Sequence, residues 1–149
     1  MHTLIKSAKT VWDGNLISGK GQISSLSKAL NNTSFSYSSR FQKLNGTNPE
    51  ELIASAHAAC YSMALAENLE NAGFHPLQIV TEDEVYSEKN EQNYQISRLE
   101  IFTEAIVPGI SFKDFLEIAE KTKETCAISK ALNPEIILHA TLKLSIINN

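Results

Sequence analysis

The stretch that decides the fold lies between residues 48 and 60 and reads Asn48-Pro49-Glu50-Glu51-Leu52-Ile53-Ala54-Ser55-Ala56-His57-Ala58-Ala59-Cys60. Asn48 is a favourable helix N-cap, Pro49 fits the first helical position, and acidic residues follow in the first turn. The helix is predicted to end near Gly73, because glycine readily adopts the left-handed conformation found after a helix C-terminus. The sequence therefore predicts one helix of about 24 residues with a cysteine in its middle.

The predicted long helix is almost free of charge between Leu52 and Leu65. Alanines, which allow another backbone to approach closely, recur along it: Ala54, Ala56, Ala58, Ala59, Ala64 and Ala66. A helix that is apolar on nearly every face has to be covered on all sides. A single domain of 149 residues does this with difficulty, so we expect a partner subunit to cover part of the helix.

The rest of the chain predicts strands at both ends and a second helix. Asp13-Gly14-Asn15 is a hairpin signal between candidate strands at 4–12 and 16–24, and residues 31–39 are predicted to form a loop. The glycines at 19 and 21 indicate a bulge or a close backbone approach. The later elements are predicted as strands Leu77–Ser87 and Tyr94–Ile106, an amphipathic helix Ser111–Thr125 and a strand Ile136–Ile146. This order predicts a single α+β domain over residues 1–149.

The second predicted helix is capped by Ser111 together with Asp114. Its core-facing side is predicted to carry Phe112, Phe115, Ile118, Ala119 and Thr122, which lie three or four residues apart.

Composition excludes several classes of protein. The formal net charge is −4, whereas a nucleic-acid-binding domain usually carries a basic face. No apolar run is long enough to cross a membrane, and the first residues do not form a secretory signal. We therefore expect a cytoplasmic protein that binds neither nucleic acid nor membrane. In a reducing compartment, two cysteines are more often catalytic or idle than joined in a permanent disulfide.

The two cysteines, Cys60 and Cys126, are each placed at a predicted helix, and this favours a redox pair over a structural disulfide. The alternative is that each is simply a small buried apolar residue. Burial raises the pKa of a thiol, so a reactive thiolate needs a nearby cation. Arg40 is the candidate cation and Glu50 the group that orients it. The alternatives are a solvated surface arginine and an acid that offsets the helix dipole.

Helix geometry constrains how these groups can meet. Glu50 and Cys60 are ten residues apart, so one straight helix separates them by roughly 15 Å. If both act at one site, a two-fold dimer with antiparallel copies of the helix is the natural way to bring them together. The same dimer would cover the apolar faces of the helix.

His57 lies one helical turn before Cys60 and could be a base, a metal ligand or, more commonly, a hydrogen-bonded core residue. The histidines and cysteines lack the close spacing of a zinc site, so no metal is expected. No glycine-rich phosphate loop and no GxSxG turn occurs either, so nucleotide and serine-hydrolase chemistry lack support.

At this point several motifs together carry a family resemblance. Residues 47–53 and 57–65 resemble the OsmC/Ohr family of thiol peroxidases, most closely its OsmC branch. The resemblance extends over essentially the whole chain through Trp12-Asp13-Gly14, Gly19-Lys20-Gly21, Ser39-Arg40-Phe41, Val107-Pro108-Gly109-Ile110 and Cys126-Ala127-Ile128-Ser129. One departure is Ala127, because the family often has proline after its second cysteine. A less rigid turn, and slower closure of the disulfide, is expected from this change.

The resemblance implies a fold of antiparallel sheets wrapped around two long central helices in an intertwined homodimer, with active sites at the subunit interface. It implies that Cys60 is the peroxidatic thiol and Cys126 the resolving thiol, with Arg40 and Glu50 activating Cys60 and positioning the peroxide. Cys126 follows a predicted helix C-terminus, whose partial negative charge is expected to keep this thiol protonated, as suits a resolving role. Members of the OsmC/Ohr family reduce organic hydroperoxides, and hydrogen peroxide less efficiently, in the defence against oxidative and osmotic stress. A dithiol, of lipoyl type or a small thiol, supplies the electrons, and no cofactor is needed.

Two other functions fit the residues. A non-catalytic homodimer that binds an apolar ligand or senses oxidants explains the apolar helix equally well and does not require Arg40 or Glu50. A hydrolase that uses Cys60 with His57 predicts an acylated thiol and no dependence on Cys126.

Overall fold

A computed structural model of the protein describes residues 2–144. The described chain divides into two compact units, one ending at Leu52 and the other beginning at Ile53. The elements follow in the order β1 (Ala8–Asp13), β2 (Lys20–Ser25), β3 (Thr33–Phe35), α1 (Tyr37–Phe41), α2 (Pro49–Asn71), β4 (Gln78–Lys89), β5 (Tyr94–Ile106), α3 (Phe112–Thr125), α4 (Ala127–Ala131) and β6 (Glu135–Lys143). These elements confirm the predicted α+β class.

The first unit contains an antiparallel sheet in the order β1-β2-β3. The predicted hairpin connects β1 and β2, with Gly14 at a φ of 97°. Gly21 of β2 lies opposite Trp12 on one side and Phe35 on the other. A Cβ atom at Gly21 would lie 2.4 Å from the Phe35 ring, so any other residue would require this ring to move. This confirms the predicted close approach at residue 21.

The segment predicted as a loop at 31–39 instead contains β3 and the start of α1. Its many serines were interpreted as loop residues, but two of them form a capping box. The Ser39 amide donates to the Ser36 hydroxyl at 3.1 Å, and the Ser36 amide donates to the Ser39 hydroxyl at 2.8 Å. Short hydroxyl side chains favour helix N-termini as well as turns, which is why the prediction was wrong here.

Helix α2 begins and ends where the sequence predicts. The Asn48 side chain accepts a hydrogen bond from the Glu51 amide at 2.8 Å, and Gly73 has a φ of 90°. One ridge of the helix is buried and consists of His57, Tyr61, Leu65 and Leu69. The rest of the chain does not cover α2 on all sides, because Ala56 and Ala59 are exposed and Met63 is 76% exposed.

The second unit contains a sheet in the order β4-β5-β6. Strands β4 and β5 are antiparallel, as predicted, but β6 pairs in parallel with β5. The expectation of purely antiparallel sheets was therefore wrong for this pair. The 107–134 segment with α3 and α4 supplies the long crossover that a parallel pair requires. The predicted last strand extended to Ile146, and its last two residues lie outside the described part.

Helix α3 is capped as predicted, since the Ser111 hydroxyl accepts from the Asp114 amide at 3.1 Å. Phe115, Ala119 and Thr122 are buried, but Phe112 is 52% exposed and does not face the core. Phe112 is the first residue of the helix, directly after the exposed turn at 108–109, and lies beyond the end of the buried ridge.

Replacement of Leu65 by alanine is expected to destabilise the protein by about 2–5 kcal/mol, because the leucine is fully buried and the truncation leaves a cavity. Glu70→Ala on the exposed side of the same helix is the control and should change the free energy of unfolding little. Urea unfolding of both variants measures the difference. Equal stability of the two would contradict the packing of α2 described above.

Candidate active site

The two cysteine sulfurs lie next to each other. Cys60 is in the middle of α2 and is partly buried, and Cys126 closes α3 and is 2% exposed. Both are free thiols, and the Cys126 thiol donates to Cys60 Sγ across 3.1 Å. They open into a pocket of about 580 Å³ whose other lining residues include Met63, Glu67 and Thr125.

Cys126 is held between two helices. Its amide donates to the Thr122 carbonyl at 2.9 Å, which closes α3, and its carbonyl accepts from the Lys130 amide at 3.0 Å, which opens α4. The first amides of α4 therefore lie at the end of this helix that adjoins Cys126. Because these amides have no partner within their own helix, they are available to the thiols.

The pKa values of the two thiols are shifted in opposite directions. Burial raises the pKa of Cys60, and the neighbouring Cys126 adds to this, while the amides of Ile128 and Ala127 act against it. Burial also acts to raise the pKa of Cys126, but the Ser129 amide, the contact with Cys60, the Ser129 hydroxyl and the Ile128 amide hold that pKa below its usual value. The sequence predicted that the C-terminal end of α3 would act on Cys126 in the opposite direction and favour the protonated thiol. The pKa is lowered instead, because α4 begins directly after Cys126 and its amides act on the thiol.

Ala127, the departure from the family's usual proline, acts on the site through its backbone. The Ala127 amide acts to lower the pKa of the Cys60 thiol. Proline has no amide hydrogen and could not act in this way. The less rigid turn and the slower disulfide formation expected from this residue stay predictions.

Arg40 and Glu50 form a close ion pair in the first unit. Arg40 Nε donates to Glu50 Oε1 at 3.0 Å, and Nη2 donates to the same oxygen at 2.5 Å. The Arg40 side chain remains 38% exposed, so one side of the guanidinium is open. It is therefore not the free solvated arginine considered from the sequence, and the carboxylate does fix its orientation.

An apolar pocket lies against this ion pair. It has a volume of about 220 Å³, and its lining includes Trp12, Phe35 and Tyr37 beside Arg40. The guanidinium carbon lies 5.0 Å from the centre of the Phe41 ring. A cation at the edge of an apolar pocket suits a molecule with one polar end and one greasy end.

The four residues singled out from the sequence thus form two pairs. Arg40 and Glu50 meet in the first unit, and Cys60 and Cys126 meet in the second. The members of the first pair are 10 residues apart in the sequence, and those of the second pair are 66 residues apart.

The His57 side chain is buried and both of its ring nitrogens have partners. Its Nδ1 lies 2.5 Å from Asp83 Oδ2 and its Nε2 lies 2.7 Å from Ser129 Oγ. The side chains of His57 and Asp83 are both fully buried. His57 is therefore a hydrogen-bonded core histidine, which was the commonest of the three interpretations offered by the sequence.

Comparison with known proteins identifies the family. Residues 41–140 match the family model of the OsmC-like proteins. The chain belongs to the OsmC-like family. It is 40% identical over 141 residues to the peroxiredoxin OsmC of Escherichia coli, which covers 95% of this chain and 99% of that protein. The same identity and coverage hold for the peroxiredoxin OsmC of Shigella flexneri.

Solved structures of OsmC-like and Ohr proteins share the fold. The organic hydroperoxide resistance protein OhrB of Bacillus subtilis has a TM-score of 0.65 at 22% identity, covering 92% of this chain and 98% of that one. An OsmC-like protein of unknown function from Vibrio cholerae has a TM-score of 0.74 at 12% identity, covering 93% and 99%.

The sequence did not identify two residues of this OsmC-like chain, Asp83 and Ser129. Both are hydrogen-bonded to the His57 ring. Asp83 had a recognisable signal, because it occupies an inward position of β4 between Thr81 and Val85, where apolar or neutral residues are usual. Ser129 lies in the short helix α4 and had no such signal. Within residues 2–144, no group of three or more acidic, histidine or cysteine side chains could hold a metal ion, and no helix has the length and apolar character needed to cross a membrane.

Proposed function

We propose that this chain is a thiol-dependent peroxidase that reduces organic hydroperoxides to alcohols, and hydrogen peroxide less efficiently. The observation that carries the proposal is the 3.1 Å contact between the sulfurs of Cys60 and Cys126 inside an open pocket. Thiol groups at this distance need to move only about 1 Å to form a disulfide. Membership of the OsmC-like family adds support, because its relatives include peroxiredoxins and organic hydroperoxide resistance proteins.

The reaction starts at Cys60. Its thiolate attacks the distal oxygen of the hydroperoxide, the O–O bond breaks, and the alkoxide leaves and takes up a proton as the alcohol. Cys60 is then a sulfenic acid. The Cys126 sulfur attacks the Cys60 sulfur, hydroxide leaves as water, and a disulfide joins the two residues. A dithiol of lipoyl type, or two equivalents of a small thiol, returns both cysteines to thiols by exchange.

Cys60 needs help to ionise, because burial raises its pKa. We assign that role to Arg40, whose guanidinium is oriented by Glu50 and keeps an open side. A guanidinium stabilises both the thiolate and the charge that develops on the departing alkoxide. The apolar pocket beside Arg40 accommodates the hydrocarbon part of the peroxide.

A homodimer brings these groups together in the proposal. The exposed side of α2, with Ala56, Ala59 and Met63, is an apolar surface on a helix of small residues, which suits packing against its own copy. In a two-fold pair the ion pair of one copy faces the thiols of the other. The active site is then shared between subunits. A reducing compartment such as the cytoplasm supplies the thiols that the cycle consumes.

A second candidate function is a dimeric binder of apolar ligands or a sensor of oxidants without turnover. The aromatic lining of the pocket beside Arg40 favours it. It predicts binding of a hydroperoxide or its alcohol but no sustained consumption.

Turnover of cumene hydroperoxide with dihydrolipoamide distinguishes these functions, and Cys126→Ser is the informative variant. We expect the wild type to consume peroxide continuously and Cys126→Ser to consume about one equivalent per chain before it stops, because the sulfenic acid has no partner thiol. Trapping with dimedone and mass spectrometry should locate the sulfenic acid on Cys60. If the wild type binds the peroxide without consuming it, the binder or sensor function replaces the peroxidase.

A further inference from the structure

A continuous line of hydrogen bonds in the second unit leads from a buried carboxylate to a serine that lies three residues after Cys126. Asp83 Oδ2 is 2.5 Å from His57 Nδ1, and His57 Nε2 is 2.7 Å from Ser129 Oγ. Ser129 is the third residue after Cys126, in the short helix α4 that follows this cysteine, and its hydroxyl acts to lower the pKa of the Cys126 thiol. The line joins β4, α2 and α4, so it is a product of the tertiary fold and not of one local turn.

Burying these polar side chains costs free energy, which suggests that they have a function. The side chains of His57 and Asp83 have no exposed surface, and Ser129 is 6% exposed. Asp83 Oδ1 has no hydrogen-bond partner among the described residues, so the carboxylate depends on its contact with His57. Apolar side chains of similar volume would fill such a position at less cost. The peroxidase steps described above use none of these three residues.

We propose that Asp83, His57 and Ser129 form a proton relay that deprotonates Cys126 when it resolves the sulfenic acid on Cys60. The proposal rests on the proposed peroxidase cycle. In the resting relay, His57 Nδ1–H donates to Asp83, the Ser129 hydroxyl donates to His57 Nε2, and the Cys126 thiol can turn from Cys60 to Ser129 Oγ. When Cys126 attacks, its proton moves to Ser129 and the Ser129 proton moves to His57.

Atoms and charge balance in this step. Cys60–SOH and Cys126–SH give the disulfide and one water. The leaving hydroxide takes up a proton, and the proton held by His57 returns to solvent. During the transfer the relay holds an imidazolium beside the Asp83 carboxylate, the same stabilisation that an aspartate gives to histidine in Ser-His-Asp hydrolases. Proton transfer and thiolate formation leave the net charge of the cluster unchanged.

The other titratable groups around the relay are few. The Cys60 thiol and the Tyr61 phenol of α2 act on Cys126, and Glu67 of α2 lines the same pocket. Glu120 of α3 acts on the Tyr61 phenol, whose pKa is raised mainly by burial.

The relay is tested by the reactivity of Cys126 itself, without any peroxide. In a Cys60→Ser background Cys126 is the single thiol, and its alkylation by iodoacetamide is followed from pH 5 to 10. We expect Ser129→Ala to slow alkylation at pH 7 about tenfold and to move the midpoint upward by about one pH unit, because the thiolate loses its donor and the thiol its route to His57. Asp83→Asn, which keeps the side-chain shape, should shift the profile in the same direction.

Ser62→Ala is the matched control. The Ser62 hydroxyl is partly buried on the same helix as His57 but bonds to Thr81 at 2.8 Å, so its removal should leave the Cys126 profile unchanged. A wild-type profile in both Ser129→Ala and Asp83→Asn would overturn the relay, and so would an equal shift in Ser62→Ala.

A second measurement uses the full cycle with both cysteines present. After one equivalent of cumene hydroperoxide, Ser129→Ala should consume the peroxide as fast as the wild type but convert its dimedone-reactive sulfenic acid to disulfide about tenfold more slowly at pH 7. Resolution at the wild-type rate would contradict the relay. If neither protein consumes peroxide, the proposed function fails, while the alkylation profiles still decide whether the relay exists.

Discussion

Replacing Cys60 with serine is expected to lower hydroperoxide turnover by about a thousandfold or more, because a serine hydroxyl is not ionised near neutral pH and cannot form the sulfenic acid. The substitution exchanges one atom at a partly buried position of α2, so the fold should be retained. Consumption of cumene hydroperoxide with dihydrolipoamide, followed at several protein concentrations, measures the loss. Far-ultraviolet circular dichroism and the urea midpoint should match those of the wild type.

Ser62→Ala is the control for this prediction as well, since it changes a hydroxyl two residues away without reaching either sulfur. It should keep nearly full turnover. Substantial turnover in Cys60→Ser together with loss in Cys126→Ser would reverse the assigned roles. The lowered pKa of Cys126 makes this a real alternative outcome, since a thiol that ionises more readily attacks peroxide more readily. Retention of turnover in both variants would exclude a thiol mechanism altogether.

The sequence predicted the part of the fold that local signals determine. Asn48, Pro49 and Gly73 act through contacts within a few residues, so both ends of α2 could be located in advance. The alternating pattern of β4 and β5 likewise reflects a local property, the two faces of a strand. The parallel pairing of β6 with β5 could not be predicted in this way, because it depends on how the crossover through α3 returns to the sheet.

The candidate site shows the same division. The resemblance implied roles for Cys60 and Cys126, and the structure places their sulfurs in contact. The relay residues were not predicted, because His57, Asp83 and Ser129 come from three elements and meet only after folding. The direction of the Cys126 pKa was also mispredicted. The prediction rested on the helix that ends at Cys126, whereas the short helix that begins there acts on the thiol in the opposite direction.

Arg40→Ala is expected to lower turnover about a hundredfold to a thousandfold while the fold is retained, because the charge that stabilises the Cys60 thiolate and the leaving alkoxide is removed. Arg40→Lys should recover only a small part of the rate, since an ammonium cannot make the forked contact with Glu50. The matched control is Arg98→Ala. Arg98 also donates through Nε to a glutamate, Glu100, at 2.8 Å. It lies on β5 and lines neither the thiol pocket nor the apolar pocket beside Arg40. Its loss should leave turnover nearly unchanged.

Mixing the two inactive variants tests whether the site is shared between copies. If the ion pair of one subunit serves the thiols of the other, co-expressed Arg40→Ala and Cys60→Ser chains give mixed dimers with one complete site. That site combines Cys60 of the first chain with Arg40 of the second, so purified mixed dimers should have about half the wild-type turnover per dimer. If Arg40 and Cys60 of the same chain act together, each site in the mixed dimer lacks one of them and turnover stays at the level of the single variants. Recovered turnover in the mixed dimers would therefore mean that each active site combines residues of both subunits. No recovery would mean that Arg40 and Cys60 of the same chain act together.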